Sequence, residues 1–194
     1  MFQFPFYLQL GFKHISDLAG YDHILFLIAL CAVYRIEQWR QIVILVTAFT
    51  VGHSVTLALA STGVLTIPSS LIEFLIPVTI LLTAIYNVAG NRSMESSKGM
   101  ARHYAMALFF GFIHGMGFSN YLRALLMGDS SVAIPLLGFN LGIELGQLLV
   151  VAVIISIAYV FLNVIQVRQR DWNVFVSGAA AGMSLILIIE NRIW

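Results

Sequence analysis

The chain has 194 residues, of which 60% are hydrophobic and only 10% are charged, and its mean hydropathy is +0.93. Soluble domains carry roughly 25% charged residues, so this composition excludes a soluble domain and predicts an integral membrane protein. A net charge of +1 indicates no basic arm for nucleic acid, and the single cysteine excludes an internal disulfide and a two-cysteine metal motif.

The chain begins with an apolar stretch, MFQFPFYLQLGF, that has no positive n-region and no small-residue cleavage site. We therefore predict that residues 1–20 form an amphipathic, interfacial or half-spanning lead-in helix and not a cleaved signal peptide. Roughly 20 helical residues cross the hydrocarbon layer, and six apolar segments follow the lead-in. The predicted fold is an all-α polytopic membrane helix bundle forming one integral membrane domain, residues 1–194. The predicted spans are 21–35, 41–61, 69–89, 102–126, 132–164 and 172–190.

The positive charges are distributed unevenly between the two sides of this arrangement. Seven of the ten lysine and arginine residues flank or lie in the first, third and fifth connections, and three lie on the other side. Loops rich in Lys and Arg remain in the cytoplasm, so we predict a multi-pass protein of the inner (cytoplasmic) membrane with both termini extracytoplasmic. The seven residues are Arg35, Arg40, Arg92, Lys98, Arg102, Arg168 and Arg170.

Strongly polar side chains occur at a similar depth, towards the outside, in four of the predicted helices. Ionisable groups at membrane depth cost a few kcal/mol each, so each one indicates a function unless it has a structural partner. Imidazoles and carboxylates are the ligands that divalent Ni, Zn, Co and Cu favour, so the pattern predicts a metal site. The candidate ligands are His14, Asp22, His23, His53, His114 and Glu144. Asn140, Gln147, Ser54 and Ser119 are the candidate supporting residues.

Structural roles are the alternative for several of these residues. A single membrane histidine often only hydrogen-bonds to a neighbouring helix, and this interpretation stays open for His53 and His114 taken one at a time. His103 follows Arg102 at the predicted cytoplasmic boundary, so we expect it at the interface. Three polar residues spaced four apart, Thr79, Thr83 and Asn87, form a candidate exit path along one helix face, although threonines often bond only to their own helix.

Four stretches, YDHILFLIAL, TAFTVGHSVTLALA, FFGFIHGMGFSNYL and GFNLGIELGQL, resemble the HupE/UreJ family in the same order over nearly the whole chain. These membrane proteins are associated with hydrogenase and urease maturation and are regarded as nickel permeases. The resemblance implies a multi-span permease for Ni(II) or a related ion, with His53, His114 and Glu144 on the family's later motifs. The family's first motif has a histidine, five residues and then Asp-His. Asp22 and His23 match its end, but Ser16 stands at the histidine position and His14 lies two residues earlier.

The residues and the resemblance together predict a secondary permease for a divalent transition-metal ion, with Ni(II) first, through a site open to the extracytoplasmic side. No G-x-x-x-x-G-K-[ST] phosphate loop is present, so ATP hydrolysis by that route is excluded. The alternative is a membrane-embedded Zn(II)-dependent hydrolase that uses the same ligands. A third hypothesis is a metal sensor or assembly partner without transport. The expected partners are the metal ion and the lipid bilayer, with further copies of the chain or metalloenzyme-maturation proteins left open.

Overall fold

A computed structural model describes residues 3–18, 20–89, 97–126 and 132–193. These ranges contain helices and no strand, which confirms the predicted all-α class. Arg92, one of the predicted cytoplasmic cations, lies outside the described residues. The helices are α1 Gln3–Ser16, α2 Asp22–Cys31, α3 Trp39–Ser61, α4 Ser69–Ala89, α5 Ser97–Gly117, α6 Ser119–Leu126, α7 Ala133–Tyr159 and α8 Gln169–Glu190, with a 3₁₀ turn Ile36–Gln38 before α3 and a π turn Val160–Val164 after α7.

In the described part of the chain, fewer helices are long and apolar enough to cross a membrane than the six spans that the sequence predicts. Among the described residues, four helical segments are long and apolar enough to cross a membrane: Ile36–Ser61, Ser69–Ala89, Ala133–Val164 and Gln169–Glu190. The predicted span 21–35 contains the ten-residue helix α2, which rises only about 15 Å. The predicted span 102–126 is divided at Phe118, between α5 and α6, and the polar first two turns of α5 make it less apolar than the other long helices.

α1 packs lengthwise and in parallel against the first half of α7. A Cβ added at Gly11 would collide with the backbone carbonyl of Phe139, and one at Gly142 would collide with the carbonyl of Leu8. Glycine permits this backbone-to-backbone approach because it has no side chain, which is the packing that small residues provide between membrane helices. The predicted lead-in helix is therefore a packed member of the bundle.

α3 and α5 form a second parallel pair with the same kind of contact. A Cβ at Gly52 would meet the carbonyl of Leu108, and a Cβ at Gly111 would meet the carbonyl of Phe49. Gly115 lies in the same way against the carbonyl of His53. Close backbone contact thus fixes α3 and α5 side by side at the level where each carries a histidine.

α2, α4 and α8 meet through a buried amide network. The Nδ2 of Asn87 donates to the carbonyl of Ala29 at 2.6 Å and to the hydroxyl of Ser177 at 3.2 Å, and Asn173 Nδ2 donates to the carbonyl of Asn87 at 2.8 Å. The end of α4 therefore lies beside the start of α8, and these two helices run in opposite directions. Such interhelical bonds are the usual role of buried amides in membrane bundles.

The connection between α1 and α2 determines where two of the histidines lie. Residues 17–21, with sequence DLAGY, contain an aspartate and a glycine, which both favour irregular structure over helix interior. α1 ends just before this segment and α2 begins just after it at Asp22, an acidic residue that suits the positive end of a helix dipole. The break brings the last turn of α1 beside the first turn of α2.

Candidate metal site

Four helices bring their histidine rings together at this break. The ring centroid of His14, from α1, lies 4.7 Å from that of His23, from α2. His53, from α3, lies 6.2 Å from His14 and 6.4 Å from His23. His114, from α5, lies 5.3 Å from His23. The four predicted histidine ligands therefore form one cluster, which we call the histidine group.

Three members of the histidine group present ligand atoms to one another. One ring nitrogen each of His14, His23 and His53 lie within 4.8 Å of one another. An ion that holds imidazole nitrogens at about 2.1 Å keeps them roughly 3–3.5 Å apart, so a small closing movement of these rings suits a metal ion. The ligand set, three neutral imidazoles, is one that Ni, Zn, Co and Cu accept.

The unpaired nitrogens of these rings support that interpretation. His53 is completely buried and neither of its ring nitrogens has a hydrogen-bond partner. The Nε2 atoms of His14 and His23 are also buried without a partner. A buried polar atom left without a hydrogen bond costs about 1–3 kcal/mol, so four such atoms in one place are unusual in a group that only stabilises the fold.

Asp22 orients His23 from outside the group. Its Oδ1 accepts hydrogen bonds from the backbone N–H of His23 at 2.9 Å and lies 3.0 Å from Nδ1 of the same ring. This contact keeps the proton on Nδ1 and leaves the lone pair on Nε2, the nitrogen without a partner. The structure thus places Asp22 behind a ligand, although the sequence suggested it as a ligand itself.

His114 adjoins the three-nitrogen set without joining it. Its Nε2 lies 3.1 Å from the hydroxyl of Thr79, and its Nδ1 is buried with no partner. Thr79 also donates to the carbonyl of Ile76. The residue after Ile76 is Pro77, which lacks an N–H and therefore omits one backbone hydrogen bond of α4. His114 is therefore within reach of both the histidine group and the polar face of α4.

The polar face of α7 points elsewhere. Glu144 Oε1 accepts from the Thr47 hydroxyl at 2.6 Å, and Gln147 Oε1 accepts from the Thr50 hydroxyl at 2.8 Å. The structure does not bring Glu144 into the three-nitrogen set. α7 turns its glycine face to α1. The opposite face, which carries Glu144, therefore meets α3 at Thr47, six residues before His53. The Oδ1 of Asn140 is buried without a partner.

The hydroxyls of the remaining predicted site residues, Ser54, Ser119 and Thr83, donate to backbone carbonyls three or four residues earlier in the chain. The hydroxyls of Ser54 and Ser119 donate to the carbonyls of Thr50 and Met116. Thr83 donates to the carbonyl of Thr79. These bonds satisfy the hydroxyl protons and leave the oxygens able to accept a further bond.

Two clefts beside residues 17–21 lead towards the histidine group, one reaching His14 and the other reaching Asp22. The larger, of about 560 Å³, is lined by Lys13, His14, Phe118 and Tyr121 among others. The smaller, of about 220 Å³, reaches Asp22 and is bordered by Glu73. An ion therefore has access to the group from the side of residues 17–21.

Sequence reasoning missed the aromatic surroundings of the site. Phe118 lies between α5 and α6 with its ring 4.2 Å from the His14 ring, and it stacks on Phe139 at 4.9 Å. On the other side of the group, Phe26 and Phe49 each lie 5.1 Å from the ring of His114. Phenylalanines are common in any apolar helix, so no sequence signal separated these four from the others.

Comparison with protein families gives a match over nearly the whole chain. The family model described as HupE / UreJ protein matches residues 1–191. The chain belongs to the HupE/UreJ family. Comparison with curated proteins and with solved structures gave no match. Membership, together with the four long apolar helices, supports an integral membrane protein with a metal (nickel or cobalt) accessory or transport function.

Proposed function

We propose that this HupE/UreJ protein is a secondary permease for a divalent transition-metal ion, with Ni(II) as the first candidate substrate. The observation that carries the proposal is the convergence of three imidazoles, those of His14, His23 and His53, each with a buried ring nitrogen that has no hydrogen-bond partner. Residues of this kind inside a membrane bundle mark substrate or ion pathways. The ion is captured as these nitrogens replace part of its water shell.

The proposed direction of capture follows from the positions of the charges. α2 runs from the histidine group to the connection that carries Arg35, and Arg40 begins the next helix. Arginine-rich connections remain in the cytoplasm, so the histidine group lies nearer the extracytoplasmic side of the inner membrane. The two clefts at the 17–21 segment then provide the entrance.

Uptake of labelled Ni(II), Co(II) and Zn(II) into proteoliposomes tests the proposal. We expect native protein to transport one of these ions, and His23→Ala and His53→Ala each to reduce both equilibrium binding and uptake by at least about tenfold. Glu190→Gln, at the exposed end of α8, is the matched control and should transport like the native protein. Uptake that survives both histidine substitutions would contradict the permease proposal.

A Zn(II)-dependent hydrolase is the second candidate, because three imidazoles with an open fourth position are also the ligand set of catalytic zinc. The cleft of about 560 Å³ that reaches His14 is large enough for an organic substrate. The same preparation separates the two functions. A hydrolase retains one tightly bound zinc per chain through purification and shows no ion uptake.

A further inference from the structure

A second polar site lies at the opposite end of the bundle from the two clefts. Thr83, Asn87 and His103 line a small cavity of about 10 Å³, together with Leu30, Tyr86, Met106 and Phe110. A cavity of that size holds about one water-sized particle. His103 is only 6% exposed, so its side chain packs inside the bundle, whereas the side chain of its neighbour Arg102 is exposed.

His103 has one nitrogen fixed and one nitrogen free. Its Nδ1 lies 3.2 Å from the hydroxyl of Tyr34, and its Nε2 is buried with no hydrogen-bond partner. The hydroxyl of Tyr34 can either donate to Nδ1 or accept from Nδ1–H. In the tautomer with the proton on Nδ1, the lone pair of the unpartnered Nε2 is available to a ligand.

A layer of phenylalanines separates this cavity from the histidine group. The Phe26 ring lies 4.9 Å from Phe49 and 6.2 Å from Phe110, and all three side chains are buried. Phe26 and Phe49 face His114 on one side of this layer, whereas Phe110 lines the small cavity on the other. We call Phe26, Phe49 and Phe110 the aromatic barrier. Packed apolar rings of this kind exclude a hydrated ion.

We propose that His103 forms an inner metal station, which receives the ion from the histidine group when the aromatic barrier opens. This inference rests on the proposed permease function and extends it to the second half of the path. His103 and His114, a member of the histidine group, are eleven residues apart on α5. This separation corresponds to about 16 Å along the helix axis.

The donors around the inner station suit release better than storage. The lining residues with a possible donor atom are His103, Thr83, Asn87 and Met106, so the cavity is bordered by one imidazole, one hydroxyl, one amide and one thioether side chain. The histidine group offers three imidazoles instead. Conduction requires a site that binds strongly enough to accept an ion and weakly enough to let it leave. The inner station has the composition of such a transit site, and Thr79 and Thr83 connect it to His114 along α4.

Metal-binding stoichiometry tests the inner station without relying on transport. The full chain carrying His23→Ala and His53→Ala, dialysed to equilibrium against Ni(II), should retain about one weakly bound ion. The added substitution His103→Gln should remove that ion, whereas His103→Cys, which keeps a metal-binding side chain, should retain it. No residual ion in the double variant, or a residual ion that His103→Gln leaves in place, would overturn the proposal. Size-exclusion elution and thermal unfolding confirm that each variant is folded.

Transport then separates this proposal from the permease function itself. His103→Gln alone should leave Ni(II) affinity at the histidine group within about twofold of native and reduce uptake at least about tenfold. Arg102→Gln, on the preceding exposed position, is the matched control with native uptake. If the native protein shows no uptake, the permease proposal is refuted. The dialysis result then decides by itself whether the inner station binds a metal ion. Native uptake that His103→Gln does not change would refute the inner station alone.

Discussion

Asp22→Asn tests whether the histidine group is a metal site positioned by its carboxylate. Among the hydrogen bonds described above, those of Asp22 go only to the backbone N–H and the Nδ1 of His23. We therefore expect Asp22 to affect a bound metal ion through the His23 ring. Loss of a carboxylate behind a histidine ligand typically costs 10–100-fold in metal affinity, which corresponds to about 1.4–2.7 kcal/mol. Asparagine retains one acceptor oxygen at the same position. We therefore expect the lower end of this range, a loss of about tenfold.

Isothermal titration of Ni(II) into the purified protein measures this loss. Glu73→Gln is the matched control, because Glu73 borders the same cleft as Asp22 and carries the same charge but is exposed. Its affinity should stay within about twofold of native. If Asp22→Asn binds Ni(II) like the native protein while His23→Ala does not bind it, the carboxylate has no positioning role and the reasoning is wrong.

Three further predictions concern packing, pH and the neighbouring ring. In a thermal melt, Gly111→Ala should lower the free energy of unfolding by about 1–3 kcal/mol, because the added Cβ meets the Phe49 carbonyl. Gly178→Ala, where the added Cβ has nothing within 4 Å, should not destabilise the protein. Ni(II) affinity, measured by titration at several pH values, should fall as the pH is lowered, because protonated imidazole has no lone pair and protons compete with the metal. Thr79→Val should cost about 1–3 kcal/mol in the same melt, because it leaves Nε2 of His114 buried without a partner.

The sequence was sufficient for the fold class and for the grouping of the histidines. Polar residues are so costly at membrane depth that their positions along each helix indicate a shared site, and His14, His23 and His53 are indeed brought together. Helical periodicity also places Asn140, Glu144 and Gln147 on one face of α7. It did not show which neighbour each face meets, so Glu144 was expected in the site although it contacts Thr47 on α3.

Other features depend on contacts that no sequence pattern specifies. The run from Asp22 to Cys31 is continuously apolar after its first turn, so the sequence suggested a single span where the structure has a short helix after a break. His103 was assigned to the interface because Arg102 precedes it. The two side chains leave the helix in directions about 100° apart, and only packing decides that one is buried while the other is exposed.

α2 connects the histidine group to the aromatic barrier. His23 and Phe26 are three residues apart, so they lie on the same face of this ten-residue helix. α1, α3, α5 and α7 are joined in pairs by close glycine contacts, whereas the one described glycine contact of α2, between a Cβ added at Gly20 and the Oδ1 of Asp22, has the ordinary distance of 3.9 Å. A displacement of α2 that moved Phe26 away from Phe49 would therefore also withdraw Nε2 of His23 from the other ligands. In the proposed permease, opening of the barrier and weakening of the outer site would then be coupled through α2, as alternating access of a bound ion requires.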